Sequence, residues 1–194
     1  MTMRPYLFKL ATSPQEISAY FTLRQAIFSE EQQLFQGSDL DEIDKFAYPI
    51  VAIAQETKIG TQFDTQIDTQ IDTQIDTQID TSLVVGVVRI YESEPGIWYG
   101  GRLGTHRDYR KGWKVGKGLI DKAVTTANAW GCDRFLATVQ LQNVRFFQRL
   151  HWQSLEENMI CDRPHHLMEA DLNYYPPGTE VRPVARCSPI RQAS

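Results

Sequence analysis

The sequence predicts an α/β (α+β) domain with elements in the order β-α-α-β-β-β-α-β-α-β-β. Three observations carry this. A capped, periodically apolar segment follows the first strand; three strand-like runs precede the central helix; a strand, a short amphipathic helix and two further strand candidates come after it. At 194 residues the chain is long enough for one core and short for two.

YLFKL (6–10) reads as the first strand. In TSPQEISAYFTLRQAIF, Ser13 is a natural N-cap, Pro14 suits the first helical position, and Glu16 completes a capping box. Ile17, Tyr20, Phe21, Leu23 or Arg24, and Ile27 or Phe28 then recur at helical spacing. GSDLDEIDKF is acidic and reads as a loop with a short second helix. YPIVAIAQ (48–55) is a nearly continuous apolar run, expected of a strand covered on both faces. SLVVGVVRIYE and GIWYGGRLGT follow, joined by SEPG, a hairpin turn. The central helix runs from Val115 to Trp130 with Val115, Leu119, Ala123, Ala127 and Trp130 on one face, and Gly131 ends it. RFLATVQ (134–140) is a strand, NVRFFQRL (143–150) a short helix, and WQSLEE and HHLMEADL the last strand candidates.

Between the second and third strands, residues 61–81 repeat a four-residue unit, TQID. The period is far below that of a solenoid. Its Asp ladder lacks the glycine-turned loop that gathers oxygens around Ca²⁺, so the segment reads as a low-complexity insertion in an exposed loop. The domain is expected over 1–175. Residues 176–194, with four prolines and little to pack, read as a disordered tail or a linker.

A net charge of −4 argues against general nucleic-acid affinity, and no apolar run is long enough to span a bilayer. The N-terminus has too short an apolar stretch for a secretory signal. Cys132, Cys161 and Cys187 are odd in number and show no CxxC spacing, which suggests reduced thiols, no metal and a cytoplasmic setting.

YRKGWKVGKGLIDKAV (109–124) crowds glycines and cations at a helix start. Arg107, Arg110, Lys111, Lys114 and Lys117 against Asp108 leave a local +4. Unpaired amides of a first helical turn bind phosphates, and Gly112 and Gly116 let the backbone approach them. A mononucleotide P-loop is excluded because Gly112 and Gly116 are one residue too close and Gly118 replaces the required hydroxyl. The dinucleotide fingerprint fails because Asp121 stands where its last glycine belongs.

The stretch Lys111-Gly112-Trp113-Lys114-Val115-Gly116 resembles the pyrophosphate loop, R/Q-x-x-G-x-G/A, of the GNAT N-acetyltransferases. Its first position holds Lys111 and its middle glycine is replaced by Lys114, with Arg110 as an alternative register. The strand GGRLGTH, the strand FLATVQ and Asn143…Phe147-Gln148-Arg149-Leu150-His151-Trp152 are similar to the family's flanking elements. The blocks GRLGTHRDYR, VQLQNVRFFQRLHW and PHHLMEADL resemble the bacterial group linked to nitrogen starvation. The resemblance implies a mixed, largely antiparallel sheet flanked by helices, and acetyl-CoA as co-substrate.

It further implies a coenzyme site of Leu103, Gly104 and Thr105 on the strand, Arg110, Lys111, Gly112, Trp113, Lys114, Val115, Gly116 and Lys117 in the loop, and Asn143 and Phe147 beyond. A main-chain N–H near Leu103 or Gly104 would meet the thioester oxyanion. The expected acceptor is a small-molecule amine, with a homodimer as the candidate assembly. Glu31, His106 and His165 are the candidate bases. The family's usual acid, a Tyr, is Phe147, which leaves Tyr99, Tyr109, a water or departure as thiolate. Asn143 is also placed to cap its helix; Arg102 and Gln140 are candidates for the acceptor pocket. A different class, a CoA-binding sensor without turnover, is the alternative.

Overall fold

Ser13 fixes where the first helix begins. In the computed structural model, which describes residues 6–55, 83–160 and 163–183, β1 (Tyr6–Leu10) leads into α1 (Pro14–Arg24). Ser13 Oγ accepts from the Glu16 amide at 3.2 Å, and the Glu16 carboxylate accepts from the Ser13 amide at 3.1 Å. Two amides that a helix start would orphan are thereby paired. Burial pushes the Glu16 carboxyl up, but donors from Lys9, Thr12 and Ser13 outweigh it and hold it at about 2.

The chain then departs from simple periodicity. Residues Gln25–Glu31 continue α1 as a π-helical segment, whose wider turn seats both Ile27 and Phe28 in the interior. The expected second helix is a single 3₁₀ turn, Glu42–Lys45, capped by Asp41.

Seven strands form one sheet in the order β1-β2-β3-β4-β5-β7-β6. β2 is Tyr48–Ala54, β3 Leu83–Glu94, β4 Ile97–Thr105, β5 Arg134–Gln140, β6 Trp152–Ile160 and β7 Arg163–Ala170. Neighbours are antiparallel except β4 and β5, which run parallel. The sheet is therefore mixed and largely antiparallel, as expected. The β4–β5 pairing extends only from Ile97↔Arg134 to Gly100↔Ala137, although β4 continues to Thr105 and β5 to Gln140. The two strands part there.

α2 (Lys114–Ala129) lies on one face with α3 (Leu141–Gln148), and α1 lies on the other. The α2 face buries Val115, Leu119, Ile120, Ala123, Val124 and Ala127 against Ile50, Val85, Ile90 and Trp98. Each large aliphatic so buried contributes about 1.5–3 kcal/mol. The approach is close: a Cβ on Gly86 would sit 2.6 Å from Val115 and 2.8 Å from Leu119. Gly131, at φ +88°, turns the chain after α2. The opposite face packs Tyr20, Leu23, Ile27 and Phe28 on Val51, Ile53, Val84 and Val87.

Residues 176–183, expected to belong to an unpacked tail, are bonded to the domain. Gly178 N–H donates to Thr125 O at 2.8 Å, Trp130 Nε1–H to Glu180 O at 2.7 Å, and Arg182 to Glu92 at 2.6 Å while lying over the Trp98 ring. Asn128 of α2 likewise donates to the Tyr175 carbonyl at 2.7 Å. Residues 184–194 and the repeat at 61–81 lie outside the described residues.

Candidate active site

The parting of β4 from β5 is accompanied by a bulge in β4. Val87 pairs with Gly104 and Arg89 with Gly101, so Arg102 and Leu103 together oppose Val88. Arg102 takes φ +54°, a left-handed conformation that a non-glycine side chain adopts at some cost. The bulge takes part of β4 out of its ladder at the place where β5 has also left it.

A cavity of about 230 Å³ occupies the gap. Its walls come from both layers: Ile120, Val124, Phe135 and Phe147 from the α2 side, and Phe28, Leu34 and Phe35 from the α1 side. It therefore crosses the sheet. Leu103, Asn143 and Phe147, expected to hold a coenzyme, line it, and so do Arg102, Gln140 and His165. Asn143 does not cap α3, which begins at Leu141 with Gln140 as its cap residue; its side chain is left to the cavity. Phe147 is buried and meets Trp152 edge-on at 5.0 Å. Gly104 instead faces the π-helical segment, where a Cβ would come within 2.9 Å of Ile27.

The loop that follows β4 enters its helix without a side-chain cap. Gly112 (φ +80°) and Trp113 (φ +62°) turn the chain into α2. Among the described residues, the amides of Gly112, Lys114, Val115 and Gly116 have no hydrogen-bond partner. They stand at the positive end of a sixteen-residue helix. A Cβ on Gly112 would meet nothing within 4 Å, and one on Gly116 only the Phe146 ring at 3.9 Å. Trp113 is exposed and its ring packs at a tilt against Phe146, with centroids 4.6 Å apart. Lys111 and Lys114 are exposed, whereas Lys117 is paired with Asp121. The free amides, the room around the glycines and the two lysines fit a diphosphate.

The three candidate bases separate clearly. Glu31 meets Arg110 in a two-pronged ion pair, and that hydrogen bonding holds its carboxyl below the usual carboxylate range. Arg110 also donates to Thr105 O at 2.9 Å, so it clamps the loop to the end of β4. His106 Nδ1 accepts from the Asp108 amide at 3.4 Å, and its ring meets Tyr109. Neither Glu31 nor His106 lines the cavity. His165 does. Its Nδ1 lies 2.8 Å from Arg163 O, and a carbonyl only accepts, so Nδ1 carries the proton and the neutral ring has its lone pair on Nε2.

Sequence reasoning missed the group that holds the bulge. Arg24, fully buried, bonds Asp39 at 2.8 Å and Asp44, while Arg89 bonds Asp41 at 2.6 and 2.7 Å. Arg102 donates to Asp39 Oδ2 at 3.1 Å, to Asp39 O at 2.9 Å and to Asp41 at 3.2 Å. Three arginines and three aspartates thus tie the acidic loop over β3 and β4. The one signal was the acid-rich stretch GSDLDEIDKF, which carries no mark of its partners.

Comparison with known proteins agrees with this geometry. The family model described as the acetyltransferase (GNAT) family matches residues 39–152, so the chain belongs to that family, whose members use acyl-CoA. No curated protein matches the sequence. Among solved structures, a Lactobacillus plantarum protein described as an N-acetyltransferase is 18% identical, with a TM-score of 0.66, covering 85% of this chain and 97% of that one. Escherichia coli ElaA is 20% identical with a TM-score of 0.63, covering 87% and 100%. A CoA-dependent acyl-homoserine lactone synthase, BjaI, solved with SAM and isopentyl-CoA, is 15% identical with a TM-score of 0.57, covering 82% and 78%. These likenesses are of fold. Among the described residues no group of His, Cys, Asp and Glu is placed to hold a metal ion, and no helix is long and apolar enough to cross a membrane.

Proposed function

We propose that the protein is an N-acyltransferase that moves an acetyl group from acetyl-CoA to the amine of a small-molecule acceptor by direct transfer. The observation that carries this reading is the cavity that crosses the sheet where β4 and β5 part, with His165 in its wall. Gly112 to Gly116 would hold the diphosphate with Lys111 and Lys114 beside it, and the unpaired edge of β4 would hold the amide-rich arm as a strand does. Acyl-CoA supplies an activated thioester. The acceptor nitrogen attacks its carbonyl carbon, the C–S bond breaks, and the acceptor's proton passes to His165 Nε2. A backbone amide of the bulge at Leu103 is the group proposed to face the developing oxyanion.

Two further features support direct transfer. Among the described residues the free cysteine, Cys132, is buried, and burial pushes its thiol up to about 12, which makes it no nucleophile. Neither Tyr99 nor Tyr109 lines the cavity, so departure of the coenzyme as thiolate, with a thiol pKa near 8.5, is the proposed exit. Within the family we assign the chain to the nitrogen-starvation-associated group on its three sequence blocks, as a cytoplasmic protein and a homodimer.

Thiol release from acetyl-CoA, followed over a panel of amines, tests the reading. His165→Gln is expected to lower kcat about a hundredfold while leaving acetyl-CoA affinity within a factor of about two. Unchanged turnover would remove His165 from the reaction. Gly116→Asp places an anion beside the diphosphate and is expected to weaken acetyl-CoA binding at least about tenfold by calorimetry. Tight acetyl-CoA binding with no turnover of any amine would favour the sensor reading, to which the buried Phe147 at the acid position lends support.

A further inference from the structure

We propose that the acceptor is an α-amino acid with an apolar side chain, held by its carboxylate on Arg102 with its amine at His165. The inference rests on the acyl-transfer reading and specifies its acceptor. Strand register places the relevant groups on one face. Thr138 and Gln140 alternate with the inward-facing Ala137 and Val139 of β5, and His165 is the partner of both Gln140 and Asn158. His165 thus lies on the α1 side of the sheet, the side from which Phe28, Leu34 and Phe35 close the cavity.

Arg102 supplies the second point. Its Nε and Nη2 are committed to Asp39 and Asp41, and its guanidinium lies 4.3 Å over the Phe35 ring. Among the described residues its Nη1 has no hydrogen-bond partner, although Arg102 lines the cavity and its side chain is 18% exposed. A guanidinium nitrogen with two N–H donors left over matches a carboxylate oxygen. Burial and the neighbouring Arg89 push the Arg102 pKa down, whereas those of Arg24 and Arg89 are raised. Of the three arginines, this one keeps an unused donor at the cavity, and an arriving carboxylate would pair with it.

The rest of the lining selects the body of the acceptor. Among the described residues no Asp or Glu lines the cavity, so none of them balances a second ammonium, and polyamines are disfavoured. Phe28, Leu34, Phe35 and Ile160 offer apolar surface to a branched or aromatic side chain. The amine would then meet His165, and the carboxylate Arg102.

The test compares L-phenylalanine and L-leucine with phenylalanine amide, 2-phenylethylamine and spermidine on the wild-type full chain. Thiol release gives kcat/KM, and acetyl-CoA binding is followed by calorimetry in parallel. The amino acids are expected to exceed the amide and the decarboxylated amine by at least about tenfold, since each lacks the group Arg102 reads. Equal or better turnover of the amide, or preference for spermidine, overturns the proposal. If acetyl-CoA binds and every acceptor is inert, the amino-acid assignment falls and the coenzyme site stands; if acetyl-CoA does not bind, the acyl-transfer reading falls as well. Arg102→Lys, checked for folding by circular dichroism, is expected to raise KM for phenylalanine about tenfold more than KM for its amide. An equal rise in both KM values would assign Arg102 to the architecture alone.

Discussion

Arg24 shows how a single residue sets conditions for the whole site. It has no solvent exposure, and both Asp39 and Asp44 depend on it. Burial pushes the Asp44 carboxyl up, but hydrogen bonds from Arg24, the Asp41 amide and Arg89 override this and hold it at about 2. A carboxyl whose folded pKa is depressed contributes fully above its unfolded value and loses that contribution as pH falls through the folded one. Urea midpoints should therefore fall between about pH 5 and pH 2, with Asp44 accounting for about 2 kcal/mol. Arg24→Met should lower stability by about 3 kcal/mol at neutral pH, because it leaves two buried carboxylates short of a partner. It should also flatten the acid dependence. In the sequence, Leu23 and Arg24 were alternatives for one buried position. The structure buries both, which periodicity does not foresee because ion pairing, not hydropathy, admits the arginine.

Elements whose causes are local were legible at their exact residues. Ser13, Pro14 and Glu16 form the expected capping box, Gly131 turns the chain after α2, and RFLATVQ is β5 to the residue. The π-helical segment and the β4 bulge left no pattern to read, since both answer to packing against other elements: Ile27 and Phe28 on one side, Asp39 and Asp41 on the other. Candidate site residues divided in the same way. The glycines and lysines of the loop were visible as a cluster, but only the fold separates His165, in the cavity wall, from Glu31, which is spent on Arg110. Contact between elements also sets a limit on substitution. Gly86→Ala would drive a methyl against Val115 and Leu119. Overpacking of this kind is expected to cost about 1–3 kcal/mol, read as a lowered Tm, and to weaken acetyl-CoA binding by displacing the first turn of α2.

At the scale of the whole molecule, one sheet performs two tasks, because it is continuous from β1 to β4 and parted from there to β5. The helices on its two faces do not exchange roles: α2 carries the free amides, and α1 with its π-helical extension covers the opposite mouth of the cavity. The sequence conveyed the order of elements and hence the family, but not the parting, which exists only as pairing that β4 and β5 fail to complete. The last ladder partners of β2 and β3 are Ala54 and Leu83. The chain thus leaves and re-enters the sheet at adjacent points, and the ring closed between them grows costlier by only about 0.6 kcal/mol for each doubling of its length. Deleting Thr69–Asp72, one TQID unit, is expected to shift Tm by no more than about 1 °C and leave acetyl-CoA affinity unchanged. Each unit is four residues, so its gain or loss preserves the reading frame. Gain or loss of a unit would therefore leave the points of exit and entry at Ala54 and Leu83 where they stand, and copy number could vary without moving either strand.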